Sequence, residues 1–207
     1  MYQRGWDEVA EWVDFNLEVD MVRFRSHVPL EARVLDFGCG YGRISKLLFD
    51  YGYRDIVGAE SSPKMIERGN REIPELMIEL TDGSKLQHDD NCFDALIVCA
   101  VFTCITSHNQ RQNCARELIR VLRPGGLLHL VEFCSEESHP FESRVGVPML
   151  HSTPQELRNR FVGLSVVSEE IHQTKTMSGS KAKGYSLFAT KSLNKFSQAD
   201  AHTARPC

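Results

Sequence analysis

The chain has 207 residues, 42% of them hydrophobic and 25% charged, and a formal net charge of -4. That length fits one domain with a substantial apolar core, and the acidic balance gives no global basic field to draw the chain to nucleic acid. The opening MYQRGWDEVAEW has acids where a secretory leader needs a basic end and an apolar run. The most apolar stretch, ALIVCAVF at 95–102, is too short to span a bilayer, so a cytoplasmic protein with no membrane anchor is expected.

In chain order, Val9, Trp12, Val13, Leu17, Met21 and Phe24 recur at helical spacing between acids, which predicts one amphipathic helix over 6–25. ARVLDF (32–37) is a short apolar strand, and RISKLLFDYG a helix closed by Gly52. DIVGAE (55–60) is a second strand; Ser62 as N-cap and Pro63 at the first helical position open the next helix. ELMIEL is a weaker strand ending at Thr81-Asp82-Gly83. FDALIVCAVF is almost continuously apolar, as a strand buried on both faces should be. NQRQNCARELIRVL is a helix stopped by the RPGG turn, and LLHLVEF (127–133) a fifth strand, within which His129 is a core residue. The alternation predicts a parallel, doubly wound sheet.

Beyond residue 133 the pattern changes. STPQELRNRF is a helix with a capping box from Thr153 to Glu156. LSVVSEEIHQTK and GYSLFATK read as an antiparallel hairpin on the sheet edge. The expected organisation is a single domain over 1–191, with 1–30 a helical cap or lid, 32–133 the cofactor-binding core and 134–191 a substrate loop, helix and closing hairpin. Residues 192–207 form a polar, flexible tail. Seven cysteines at 39, 92, 99, 104, 114, 134 and 207 include no CxxC pair, and read as reduced, mostly buried thiols with no metal site.

VLDFGCGYGRIS (34–45) carries the strongest local signal. Ligands of an open parallel sheet bind beyond the carboxyl ends of the strands, where Gly38, Gly40 and Gly42 expose bare backbone and the following helix offers free N–H groups. A dinucleotide fingerprint needs G-x-G-x-x-G; here the third glycine comes one residue early and Arg43 stands in the remaining glycine position. Glu60, at the end of the second strand, either accepts hydrogen bonds from both hydroxyls of a ribose or favours the dipole of the next helix; its place after a glycine-rich turn favours the ribose. Asp82 and Gly83 could read an adenine edge. Asp94 suits a turn or cap.

VLDFGCGYG, IVGAE, TDGS, FDALIVCAVF and LIRVLRPGGLLHLVEF together resemble the successive motifs of class I S-adenosylmethionine-dependent methyltransferases over roughly residues 32–133. The resemblance implies a seven-stranded sheet of order 3-2-1-4-5-7-6 with strand 7 antiparallel and helices on both faces. It implies S-adenosyl-L-methionine as cofactor and S-adenosyl-L-homocysteine as product. The turn Gly38, Cys39, Gly40 to Gly42, with Arg43, would face the methionine part and Asp36 its ammonium. Glu60 would hold the ribose, Ser61 and Met65 the adenine, and Asp82 and Gly83 the adenine edge, with Cys99 near the ammonium. Tyr2, Arg4 and Trp6 are candidates to close over the cofactor, or else pack the N-terminal helix.

The reading is an enzyme that aligns a small-molecule acceptor with the methyl group, oxygen being the first candidate atom and nitrogen or sulfur alternatives. The N-terminal helix, the loop residues Phe102, Thr103 and Cys104, and the segment 134–152 would face the acceptor. His139 is the candidate base and Arg144 the candidate partner of an anionic substrate group, each also compatible with a solvated loop. Nucleic-acid and membrane partners are not expected; the chain would be a monomer or homodimer. A catalytically silent relative acting as a binding subunit is the alternative. An NAD-dependent oxidoreductase is less favoured, given the shifted glycine and the missing Tyr-xxx-Lys pair.

Overall fold

The computed structural model describes residues 3–193, with the side chains of residues 3 and 4 left out, so Tyr2 and the tail from 194 lie outside the described residues. Seven strands form the main sheet: β1 (Val34–Phe37), β2 (Ile56–Glu60), β3 (Met77–Leu80), β4 (Phe93–Cys99), β5 (Leu122–Cys134), β8 (Leu164–Lys175) and β9 (Lys181–Lys191). Their order is β3-β2-β1-β4-β5-β9-β8. β9 runs antiparallel to both β5 and β8, while β1 to β5 pair in parallel. Counting only main-sheet strands, this is the expected 3-2-1-4-5-7-6.

The period of two along each strand sorts residues to the two faces. Leu35, Phe37, Val57, Leu96, Val98, Leu128 and Leu130 pack with Leu118 of α5 (His108–Val121) and Leu157 of α6 (Pro154–Asn159). Val34, Ile56, Ala95, Ile97 and Leu127 face Phe24 of α2 (Met21–His27) and Leu48 of α3 (Arg43–Asp50). The caps form where the sequence places them. Ser62 Oγ accepts the Met65 N–H at the start of α4 (Pro63–Glu72), and Thr153 and Glu156 close a capping box. Asp94 does turn work: Oδ2 accepts the Arg33 N–H and Oδ1 pairs with Arg123. Among the described residues no helix is long and apolar enough to cross a membrane.

Three expectations fail, the first being the RPGG turn, which is instead a register shift inside β5. The single helix over 6–25 is instead α1 (Gln3–Val9), an irregular strap and then α2, whose N-cap is Asp20. The apolar residues Val13 and Leu17 are buried, as their pattern requires, but on an extended path rather than a helix face. The strap makes tertiary bonds that a helix would forgo: Asn16 donates to the carbonyls of Lys175 and Thr176, and the Tyr41 hydroxyl accepts the Phe15 N–H. The segment 134–152, read as a loop, contains a small hairpin, β6 (His139–Glu142) with β7 (Pro148–His151). Val147 and Met149 from it join Trp6, Val9, Ala10, Val13 and Met65 in a third apolar cluster that roofs the carboxyl end of the sheet.

His129 anchors the strap from below. Its Nε2 accepts the Asp20 N–H at 3.1 Å, and its ring stacks on Phe188 with centroids 3.9 Å apart. Burial pushes its pKa down to about 4, so it stays neutral in the fold. The unfolded chain binds a proton below its ordinary value of about 6.5 and the folded chain does not until about pH 4. Stability should therefore fall as pH drops through that window, by up to about 3 kcal/mol from this residue, and level off below it. Urea unfolding from pH 7 to 4 checks this: the stability gap between the unsubstituted chain and His129→Gln should narrow by that amount.

Candidate active site

The site is built from the carboxyl ends of β1, β2 and β4. Gly38, Gly40 and Gly42 all have positive φ (71°, 59° and 90°), a region that side chains enter at a cost of roughly 1–2 kcal/mol. Space is equally restrictive at the first two. A Cβ on Gly38 would overlap Val101 Cγ2, and one on Gly40 would sit 2.7 Å from the Phe15 ring. The turn is held down by the Gly38 and Cys39 N–H groups on the Ala59 carbonyl.

Glu60 is buried, and its carboxylate bridges three pieces of backbone. Oε2 accepts the Gly40 N–H at 2.9 Å, while Oε1 accepts the N–H groups of Ser61 and Ser62 at 2.7 and 2.8 Å. The acid thus ties the glycine turn to the head of α4, and Oε2, with one donor, keeps a lone pair to offer. Asp36, also buried, accepts the Ser45 hydroxyl at 2.7 Å; burial raises its pKa to about 6. Arg43 reaches from the first turn of α3 to the Leu17 carbonyl, and its buried Nε has no hydrogen-bond partner.

These groups face one cavity of about 680 Å³ including its mouth. Its far wall is the strap and α1: Trp6 meets Phe15 edge to face at 5.6 Å, Phe15 stacks on Tyr41 at 5.5 Å, and Leu17 completes the wall. Its floor is Cys99, Ala100, Val101 and Cys104. Ala100 has φ 58°, a left-handed turn for a residue with a Cβ, which lets the chain leave β4 and double back as a single 3-10 turn, Phe102–Cys104. Three thiols face the cavity, and burial raises all three: Cys99 to about 12, and Cys39 and Cys104 well above the ordinary value. They are protonated, soft lining rather than nucleophiles.

Of the residues singled out from sequence, Trp6, Asp36, Gly38, Cys39, Gly40, Arg43, Glu60, Ser61, Met65 and Cys99 all line this cavity. Gly42 caps α3 behind it. Asp82 is exposed on a neighbouring groove with Thr81 and Ser84, its carboxylate taken up by Ser84, which lowers its pKa; Gly83 is beside it. His139 and Arg144 do not line the cavity. The β6–β7 pairing turns His139 outward, where Nδ1 meets the Glu137 carbonyl, and Arg144 is exposed at the hairpin's turn. Phe15, Leu17, Ala100 and Val101 are lining residues that sequence reasoning missed. For the first two the signal was present: Asp14, Asn16 and Asp20 are turn and cap formers that argue against a continuous helix.

A doubly wound sheet of this order, with a glycine turn and a carboxylate at the ends of its first two strands, defines the class I S-adenosylmethionine-dependent methyltransferase fold. Residues 35–130 match the family model described as "Methyltransferase domain". A demethylmenaquinone methyltransferase of Beutenbergia cavernae is 31% identical over 151 residues, 68% of this chain and 61% of that protein. The chain thus spans about three fifths of that relative's length. Among solved structures, a SAM-dependent methyltransferase of Methanosarcina mazei superposes with a TM-score of 0.78 at 21% identity, covering 86% of this chain and 100% of that one. A Burkholderia thailandensis 1,6-didemethyltoxoflavin-N1-methyltransferase, solved with its substrate and S-adenosylhomocysteine, superposes at 0.65 and 15% identity, covering 92% and 80%. The match over residues 35–130 places a methyltransferase domain within this chain, and the Burkholderia protein of the same fold was solved with S-adenosylhomocysteine.

Proposed function

We propose that the chain binds S-adenosylmethionine in this cavity and methylates an apolar small molecule. The observation that carries this reading is the joining of Glu60 to the Gly38–Gly42 turn in a cavity that Arg43 also lines. The donor set suits the group: a carboxylate with a free lone pair for ribose hydroxyls, bare backbone for close approach, and a guanidinium for an amino-acid carboxylate. When bound, the cofactor supplies an electrophilic methyl group.

Glu60 and the turn hold the nucleoside end, with Ser61 and Met65 against the base. Asp36 and Arg43 take the charged ends of the amino-acid arm. Trp6, Phe15 and Leu17 exclude water from the open side. Among the described residues the lining contains no histidine, lysine or tyrosine, and both carboxylates already hold donors. This lining suits an acceptor that arrives with its nucleophile ready, as an amine, a thiol or an acidic hydroxyl. The apolar walls favour a flat aromatic body, in keeping with the quinone and toxoflavin precursors named for the two similar methyltransferases.

Isothermal calorimetry tests the reading. S-adenosylhomocysteine should bind with a micromolar dissociation constant and raise the melting temperature, NADH should do neither, and absence of S-adenosylhomocysteine binding would overturn it.

A further inference from the structure

Two fully buried, oppositely charged side chains grip the floor of the cavity without touching each other. Glu132, on β5 beyond the point where β4 ends, accepts the N–H groups of Val101, Phe102 and Thr103 at 2.7, 2.8 and 3.0 Å and the Thr103 hydroxyl at 2.8 Å. Arg111, on α5, donates to the carbonyls at the other end of the same turn, Phe102 and Ile105. An anion therefore sits on the free N–H groups at the amino end of the 3-10 turn, and a cation on the Ile105 carbonyl and on the Phe102 carbonyl that also accepts the Ile105 N–H. Burying two charges in this way is costly, and hydrophobic residues of similar size would hold a strand and a helix as well or better. What hydrophobic residues would not do is fix the height of one short turn.

That height matters because Val101, the residue whose N–H Glu132 holds, abuts Gly38 and lines the cavity. Arg111 carries the link further: its other donors reach Ser152 Oγ and the Leu150 carbonyl, so it joins the floor to β7, whose Met149 packs in the roof against α1. We infer that Glu132 and Arg111 are positioning residues which set the spacing between the Val101 floor and the Gly38 turn, and so the fit of the cofactor's amino-acid arm. The inference rests on the cofactor reading above, which puts that arm against the Gly38–Gly42 turn. Burial raises the Glu132 pKa, a bias offset in part by the donors it accepts.

Glu132→Gln tests it, since it keeps the side chain's size but presents an NH₂ where an acceptor is needed. By calorimetry, the dissociation constant of S-adenosylhomocysteine should rise at least tenfold, while adenosine, which lacks the amino-acid arm, binds as it does to the unsubstituted chain. Thr103→Val, which removes only the hydroxyl arm of the same site, should give a two- to threefold loss with the same selectivity. It decides the matter if Glu132→Gln does not fold. Equal losses for both ligands would show a merely structural role and overturn the inference, as would unchanged affinities. Failure of the unsubstituted chain to bind S-adenosylhomocysteine would instead overturn the cofactor reading.

Discussion

Replacing Glu60 with alanine should weaken S-adenosylhomocysteine binding by at least about a hundredfold, or roughly 2.7 kcal/mol, and abolish the ligand's effect on melting temperature. The remaining Oε2 lone pair can take one ribose hydroxyl, and a hydrogen bond to a carboxylate is worth about 1.5–3 kcal/mol, so the expected loss is of the size of what is removed. The same substitution strips the Gly40, Ser61 and Ser62 N–H groups of their acceptor in a buried setting. A stability loss of about 1–3 kcal/mol should accompany it. Glu60→Gln separates the two effects. It can keep one oxygen on Ser61 and Ser62 while setting an NH₂ against the Gly40 N–H, so the protein should stay folded and still bind at least tenfold more weakly. Calorimetry at a temperature where each variant is folded decides it, and an affinity within threefold of the unsubstituted chain would remove Glu60 from the binding site.

Arg68→Met should release the N-terminal strap and α1 from the rest of the molecule. The Arg68 guanidinium lies over the Tyr41 ring at 3.8 Å, donates to the carbonyls of Ala10 and Val13, and pairs with Asp14 and Glu72 at 2.9 Å. It is buried among these partners and forms the main polar tie between α4 and the strap. Methionine keeps the stem but leaves the carbonyls without a donor, and breaking a buried pair of this kind costs about 3–5 kcal/mol, less here because Asp14 is exposed. The readout is built into the chain: Trp6 is 8% exposed and Trp12 61%. In a Trp12→Phe background, emission comes from Trp6 alone, and Arg68→Met should shift it to the red, with faster proteolysis within residues 3–20. S-adenosylhomocysteine should bind more weakly too, because Trp6 and Phe15 form the water-excluding wall. An unmoved emission maximum would show that the wall stands without Arg68.

Much of the fold was legible because it is encoded over short distances. VLDF, IVGAE and FDALIVC are apolar enough to be buried on both faces, Ser62-Pro63 and Thr153-x-x-Glu156 are caps whose partners are three residues away, and the glycine turn sits directly after its strand. The meeting of the glycine turn with Glu60 was equally readable, since they follow the ends of consecutive strands and parallel pairing must bring them together. The N-terminal helix was misread because apolar residues at helical spacing are also what a strap needs to stay buried. Periodicity cannot tell the two apart when the distant carbonyls of Lys175 and Thr176 supply the bonds.

By itself, then, the sequence determined the strands, the caps, the glycine turn and the carboxylate beside it, each set by neighbours along the chain, while the strand order followed only from the family resemblance. Tertiary structure alone decided where the cavity's wall and floor lie and which polar groups face it. It turned His139 and Arg144 away, laid Phe15 over Gly40, and brought Glu132 and Arg111 to opposite ends of one turn. The physical reason is that a buried charge or ring takes its place from whatever unpaired backbone or bare glycine the completed fold leaves beside it, and no spacing in the chain specifies that partner.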